Sequence, residues 1–245
     1  MIKIEQLNKR FKRLDVLCDI SVFLSKGQVI SLIGPNASGK TTLIKCLLGI
    51  VKQDSGIIYF NEKNIKGDWS YRHHIGYMPQ IERYPDNIQI GQLINMMKDI
   101  RNNVNTLPDE ELIEKFELNK IFISKTRSLS GGTRQKVSAA LAFLFSPEVL
   151  ILDEPTAGLD PLSIEILREK ILKEKEKNKL IIITSHILSD IDGLASHIMY
   201  LQNGQLIFFK DINAIKQEVG EDRLSKAIVE IMKQKKSLYK RKNEK

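Results

Sequence analysis

Cysteine and tryptophan are scarce: the 245 residues include two cysteines and one tryptophan. Cys18 and Cys46 lie in apolar surroundings without a CxxC spacing or a histidine partner. That excludes a disulfide framework or a cysteine metal site and reads as reduced thiols of a cytosolic protein. No apolar run approaches the roughly 18–20 residues that cross a bilayer. The longest are short, such as Leu180-Ile181-Ile182-Ile183. The start, Met1-Ile2-Lys3-Ile4-Glu5, mixes acid and base and lacks the apolar stretch of a secretion signal. Repeats and low-complexity linkers are also missing, so nothing argues for two independent domains. Charge is uneven: of a net +8, +6 falls in Lys233–Lys245, leaving the remainder nearly neutral. Such a tail is read as a solvated end, with an anionic leaflet or nucleic acid as alternatives. Tyr239 is the one aromatic among its lysines, a poor pattern for stacking on bases.

Against these absences stands one dense motif. Gly34-Pro35-Asn36-Ala37-Ser38-Gly39-Lys40-Thr41-Thr42 fits G-x-x-x-x-G-K-[ST], with Val29-Ile30-Ser31-Leu32-Ile33 ahead as a buried strand and Leu43 to Leu48 behind as a helix. Backbone N–H groups and the positive end of the helix dipole converge there on phosphate. Gly34 and Gly39 permit the turns and the close backbone approach. Lys40 bridges the β- and γ-phosphates, and the Thr41 hydroxyl ligates Mg²⁺.

The early chain reads as strands at Ile2–Leu7, Ile20–Leu24, Val29–Ile33 and Gly56–Phe60. Phe11, stranded in Lys9-Arg10-Phe11-Lys12-Arg13, either stacks on a purine or covers a small surface cluster. A strand from His74 to Met78 ends at Pro79, which puts Gln80 on a loop at a strand end, within reach of a metal or an attacking water. Leu93, Met96, Met97 and Ile100 suggest one helix face, and Pro108-Asp109-Glu110-Glu111 a helix start. Leu129-Ser130-Gly131-Gly132 opens a further helix. Ser130 is a good N-cap, and the glycines expose backbone N–H groups as a second anion site, with a plain cap as the alternative.

Val149-Leu150-Ile151-Leu152 reads as a strand buried on both faces, ending in Asp153-Glu154-Pro155. Adjacent carboxylates on a strand point to opposite sides, so they divide the work. Asp153 is placed for Mg²⁺ and Glu154 to polarise water. Asp160-Pro161 caps the next helix, which carries Ile164, Leu167 and Ile171 on one face. Ser185-His186 follows the strand Leu180–Thr184, where a histidine is structural or catalytic. Asn203-Gly204 marks a hairpin. The expected architecture is α/β: a P-loop NTPase core with a mostly parallel sheet, an N-terminal antiparallel β subdomain and an inserted helical subdomain. The expected boundaries are 1–82 with 149–209 for the core, 83–148 for the helical insertion and 210–245 for a helical basic tail.

Together these motifs resemble the nucleotide-binding subunit of ATP-binding-cassette (ABC) transporters over Met1 to Phe209. The Ser130-Gly131-Gly132 signature between phosphate loop and acidic strand separates that family from other P-loop enzymes. The resemblance implies ATP and Mg²⁺, with Phe11 stacking on adenine, Gln80 sensing metal and contacting a transmembrane partner, Glu154 as general base, Asp160 crossing a dimer interface and His186 on the γ-phosphate. It further implies a head-to-tail homodimer on separate permease subunits, with Lys40 of one copy and Ser130 of the other on the same phosphate. The subunit would sit peripherally at the cytoplasmic face of the inner or plasma membrane, touching the membrane through its partner and binding no nucleic acid. Phe11 replaces the commoner Tyr, and Ala37-Ser38 a Gly-Ala pair, neither of which removes a charge or a ligand. The alternatives are a soluble ABC ATPase of DNA repair or translation, and a nucleic-acid module using the basic tail. The stretches from Gly76 to Asn87 and from Leu129 to Val137 also resemble copper-processing cassettes of nitrous oxide reductase maturation, against a generic exporter.

Overall fold

The computed structural model describes residues 1–101, 107–185 and 192–232. His186 and the basic stretch Lys233–Lys245 therefore lie outside the described residues. The chain divides into two compact units, Met1–Asp68 with the residues from Thr184 onward, and Trp69–Ile183.

In the first unit, strands β1 (Ile2–Phe11), β2 (Leu14–Leu24), β4 (Ser55–Phe60) and β5 (Lys63–Asn64) form a sheet in the order β2-β1-β4-β5, antiparallel throughout. Ile2, Ile4, Leu7, Leu17, Ile20 and Leu24 bury one side, as alternation along half-buried strands requires. β1 runs four residues beyond the expected Leu7, and β2 begins at Leu14 rather than Ile20. The reason is a tight turn at Lys12-Arg13, with Lys12 at φ 54°, that pairs Phe11 with Leu14. The polar run Lys9-Arg10 is thereby held in the ladder, with register shifts on either side of Lys9.

The same unit contains β3 (Val29–Ile33), β9 (His197–Gln202) and β10 (Gln205–Asp211). β3 and β9 are parallel, while β9 and β10 form the hairpin expected from Asn203-Gly204, whose residues have φ of 50° and 75°. Both angles are positive, as a type I′ turn demands. Helix α1 (Lys40–Leu47) follows the loop after β3 and buries Leu43, Ile44, Cys46 and Leu47. A helix at Ile212–Val219 starts on Asp211, whose carboxylate accepts from the N–H groups of Asn213 and Ala214, and a helical segment covers 224–232.

In the second unit β6 (Ile75–Met78) is parallel to β7 (Val149–Asp153), with Met78 opposite Leu152, and β8 (Leu180–Thr184) lies on the other side of β7. Every residue of β7 and β8 is buried, as the uninterrupted apolar runs predict. Around them stand α2 (Ile90–Ile100), α3 (Glu111–Lys115), α4 (Gly131–Phe143) and α5 (Pro161–Glu176). The expected face of α2 is corrected: Ile90, Leu93 and Ile94 are buried, whereas Met96 and Ile100 are 42% and 64% exposed. Gly91 packs on Phe122, so the i, i+3, i+4, i+7 stripe that begins at Ile90 is the one turned inward.

A buried charge cluster joins α3 to α5. Lys170, its side chain only 1% exposed, contacts Asp109 at 2.5 Å, Glu111 at 2.9 Å and Glu174 at 3.2 Å, and Glu174 also pairs with Lys177 and Lys179. The apolar residues of α5 predicted none of this: Lys170 and Glu174 follow Leu167 at i+3 and i+7 and so share its buried face, but a charged side chain at an inward position adds nothing to an apolar pattern.

Candidate functional site

The first unit carries the phosphate loop. A Cβ at Gly34 would stand 2.2 Å from the backbone oxygen of Leu201, and one at Gly39, where φ is 105°, 2.7 Å from that of Val16. The loop is therefore wedged against β9 and β2, and neither position tolerates a side chain. Ser38 N–H donates to Pro35 O, and Gly204 N–H to Ser38 O, which closes the loop on itself and on the β9–β10 hairpin. Lys40 Nζ donates to Gly34 O at 2.7 Å and to Pro35 O at 3.1 Å, so its ammonium folds back over the loop.

Helix α1 begins at Gly39 without a side-chain cap, leaving its first N–H groups for a ligand. The Ser38 hydroxyl is buried and, among the described residues, has no hydrogen-bond partner. An uncapped helix start, an orphaned buried hydroxyl and a glycine cradle together fit a polyphosphate. Thr41 is exposed and Thr42 half-buried on the first turn; Pro35, Asn36 and Ala37 form the exposed crest. Phe11, 46% exposed, stands at the tip of the β1–β2 hairpin.

The second unit carries the acids. Asp153 ends β7 and is buried, and Glu154 follows in the left-handed region at φ 53°. A non-glycine residue held there is strained, a condition that a surrounding network has to enforce. Gln135 supplies part of it: its buried amide donates to Glu154 O at 3.1 Å. Burial, and then the nearby Asp153 carboxylate, push the Tyr77 hydroxyl up to about 12. Since Met78 and Leu152 are level in the ladder, Gln80 and Glu154 each emerge two residues past the same end of paired strands. Gln80 is exposed there.

Ser130 is the N-cap of α4, as expected: its Oγ accepts from Thr133 N–H at 3.2 Å and shares a 2.8 Å hydrogen bond with Thr133 Oγ1. The two glycines that follow differ. A Cβ at Gly132 would lie 2.6 Å from Gly158 O, so that glycine lets the helix start touch the loop after β7. At Gly131 nothing among the described residues lies within 4 Å of such a Cβ, so none of them accounts for its missing side chain.

Asp160 caps α5 through Ser163 and pairs with Lys136 at 2.8 Å; the Lys136 and Ser163 bonds hold its carboxyl well below the usual range. Sequence reasoning missed Gln135 and Lys136, which tie the signature helix to Glu154 and Asp160. Their one signal is that both lie within two turns of Ser130.

The family model described as ABC transporter matches residues 17–157. The ABC transporter ATP-binding protein YtrB of Bacillus subtilis (strain 168) is 32% identical over 219 residues, which cover 89% of this chain and 74% of YtrB. The lantibiotic transport ATP-binding protein SrtF of Streptococcus pyogenes is 35% identical over 219 residues, covering 86% of this chain and 91% of SrtF. A solved ATP-binding subunit of an ABC transporter matches with a TM-score of 0.86 and 26% identity, over 95% of this chain and 99% of that one. A dimeric cassette in a post-hydrolysis state with ADP and Pi shares the fold, with a TM-score of 0.76 and 21% identity over 86% and 98% of the two chains.

Proposed function

This chain belongs to the ABC transporter family and is an ATPase of its ATP-binding type, and from that premise we propose that it drives an exporter whose membrane-spanning part is a separate subunit. No helix among the described residues is long and apolar enough to cross a membrane. The subunit docks peripherally on its permease at the cytoplasmic face of the inner or plasma membrane, and its contact with lipid is through that partner. The observation that carries the reading is the phosphate loop, where the Gly34 and Gly39 cradle and the uncapped start of α1 surround the Lys40 ammonium.

On ATP, Lys40 swings from its loop carbonyls to the β- and γ-phosphates, while the loop from Gly34 to Gly39 and the hydroxyls of Thr41 and Thr42 line the chain of phosphates. Phe11 stacks on the adenine. Thr41, Asp153 and Gln80 are oxygen donors suited to Mg²⁺, which when bound neutralises charge on the phosphate oxygens. Glu154, positioned by its strained backbone and by Gln135, takes a proton from the attacking water, and His186 contacts the γ-phosphate.

Ser130, Gly131 and Gly132 complete the site from a second copy, arranged head to tail, with Asp160 at the interface. Support comes from the open surface at Gly131, which leaves room for a phosphate at the start of α4. ATP bridges both copies and ADP does not, so hydrolysis opens the dimer and the permease receives the motion. The exporter direction is supported by likeness to SrtF, a lantibiotic transport protein by name. Within that class, the resemblance of the Gly76–Asn87 and Leu129–Val137 stretches points to a copper-processing permease as partner.

The test is Glu154→Gln. It is expected to retain Mg-ATP binding while hydrolysis falls by about 100-fold or more, the scale of a lost general base. Wild-type turnover in that variant overturns the assignment.

A further inference from the structure

Phe11 has no hydroxyl through which a hydrogen bond could hold its ring, which leaves contacts with the ring itself. The structure supplies one. Lys9 Nζ lies 5.1 Å from the centroid of the Phe11 ring, and its side chain is 14% exposed although it ends in a charge. The two residues are two apart on β1, and the register shift beside Lys9 leaves its ammonium within reach of the Phe11 ring. Lys9 is itself held: its ammonium meets Asp54 Oδ1 at 2.8 Å, Asp54 Oδ2 accepts from Arg10 N–H at 2.6 Å, and Asp54 N–H donates to Asn8 O at 2.9 Å. Asp54 is thus fastened to the β1 backbone on both sides of Lys9.

Building on the assignment of Phe11 to the base, we propose that Lys9 is a positioning residue for the nucleotide: pinned by Asp54, it occupies one face of the Phe11 ring and presents the other to the purine. A cation is attracted to the negative face of an aromatic ring, which leaves the opposite face as the one available for stacking. A ring already ordered loses less freedom when the base arrives, so the contact raises affinity for a nucleotide with a base and does nothing for bare phosphate.

The test compares the full chain with Lys9→Met, titrated calorimetrically with Mg-ATP and with Mg-tripolyphosphate, which has no base. Lys9→Met is expected to weaken Mg-ATP binding by about three- to fivefold and to leave tripolyphosphate within about twofold, the scale of one partly exposed cation–π contact. Lys9→Arg restores ATP affinity, because a guanidinium reaches both the ring and the carboxylate. Asp54→Asn, which releases the lysine without removing it, gives a smaller loss with the same selectivity and covers the case in which Lys9→Met does not fold. Equal weakening of both ligands means that Lys9 only staples β1 to the turn before β4, and overturns the proposal; so does an unchanged Mg-ATP affinity in Lys9→Met. Phe11→Ala separates the two levels. If it weakens ATP selectively while Lys9→Met does not, the Phe11 assignment stands and this inference fails. If Phe11→Ala changes nothing, the Phe11 assignment falls and takes the inference with it.

Discussion

Adjacent glycines at the start of α4 answer to different constraints, and substitution separates them. Gly132→Ala forces a Cβ to 2.6 Å from Gly158 O, a backbone atom that cannot swing away. Overpacking of that kind is expected to cost about 1–3 kcal/mol in a thermal melt. Gly131→Ala meets no atom of the described residues and sits in ordinary helical backbone, so the melting temperature should hold or rise, by at most about 1 kcal/mol of stability. The same Gly131→Ala change, made in Glu154→Gln, should abolish ATP-driven pairing in gel filtration, because the added methyl occupies the space assigned to the phosphate. Persistence of the dimer would remove Gly131 from the interface. The Gly-Gly pair was visible in the sequence as a possible anion site. Which glycine serves the chain's own packing was not, since Gly158 approaches Gly132 from 26 residues further on.

Elements pair apolar stripes that a sequence displays with polar contacts that it hides. The cluster around Lys170 links α3 and α5 through side chains about sixty residues apart, beyond the reach of any periodicity argument. Lys170→Met strands Asp109 and part of Glu111 without their cation and is expected to destabilise the protein by about 3 kcal/mol, the low end for breaking a buried pair. Replacing Asp109 by asparagine in the same chain should recover part of that loss, since the carboxylate left without its cation is then gone.

Acid probes the same cluster. Burial raises the pKa of Glu111, but hydrogen bonds from Lys173 and Lys170 outweigh it and hold the value at about 2, below that of a free carboxyl. A depressed carboxylate contributes fully above its unfolded value and loses that contribution as pH falls toward the folded one. Unfolding free energy should therefore drop with a steeper slope between about pH 4.5 and 2 in wild type than in Glu111→Gln, measured by denaturant titration. Equal slopes would show that Glu111 adds nothing to stability. α2 shows the converse: two overlapping stripes were present in its sequence, and the packing of Gly91 on Phe122 selected the one containing Ile90.

At the scale of the whole molecule, nucleotide binding is read as stability and as association. At a hundredfold excess over its Kd, Mg-ATP should add about 2.7 kcal/mol to the stability of wild type, and little to Lys40→Met, whose loop has lost its counter-charge. Glu154→Gln should run as a dimer with Mg-ATP and as a monomer with Mg-ADP, since ADP has no γ-phosphate to bridge the copies. A monomer under both conditions would sink the head-to-tail arrangement.

By itself the sequence determined the phosphate loop, the buried β7 and β8, the capped starts of α4 and α5, the β9–β10 hairpin and the family. Each of these depends on spacing between near neighbours: a glycine where backbone must pass, a cap at a helix start, a run of apolar residues where both faces are covered. Only the tertiary structure decided that Gly132 touches Gly158, that Gln135 holds the strained Glu154, that Lys9 rests on Phe11 under the control of Asp54, and that Lys170 is buried among carboxylates. Those contacts join residues distant in the chain, and their energy comes from distance and burial, which no local pattern encodes.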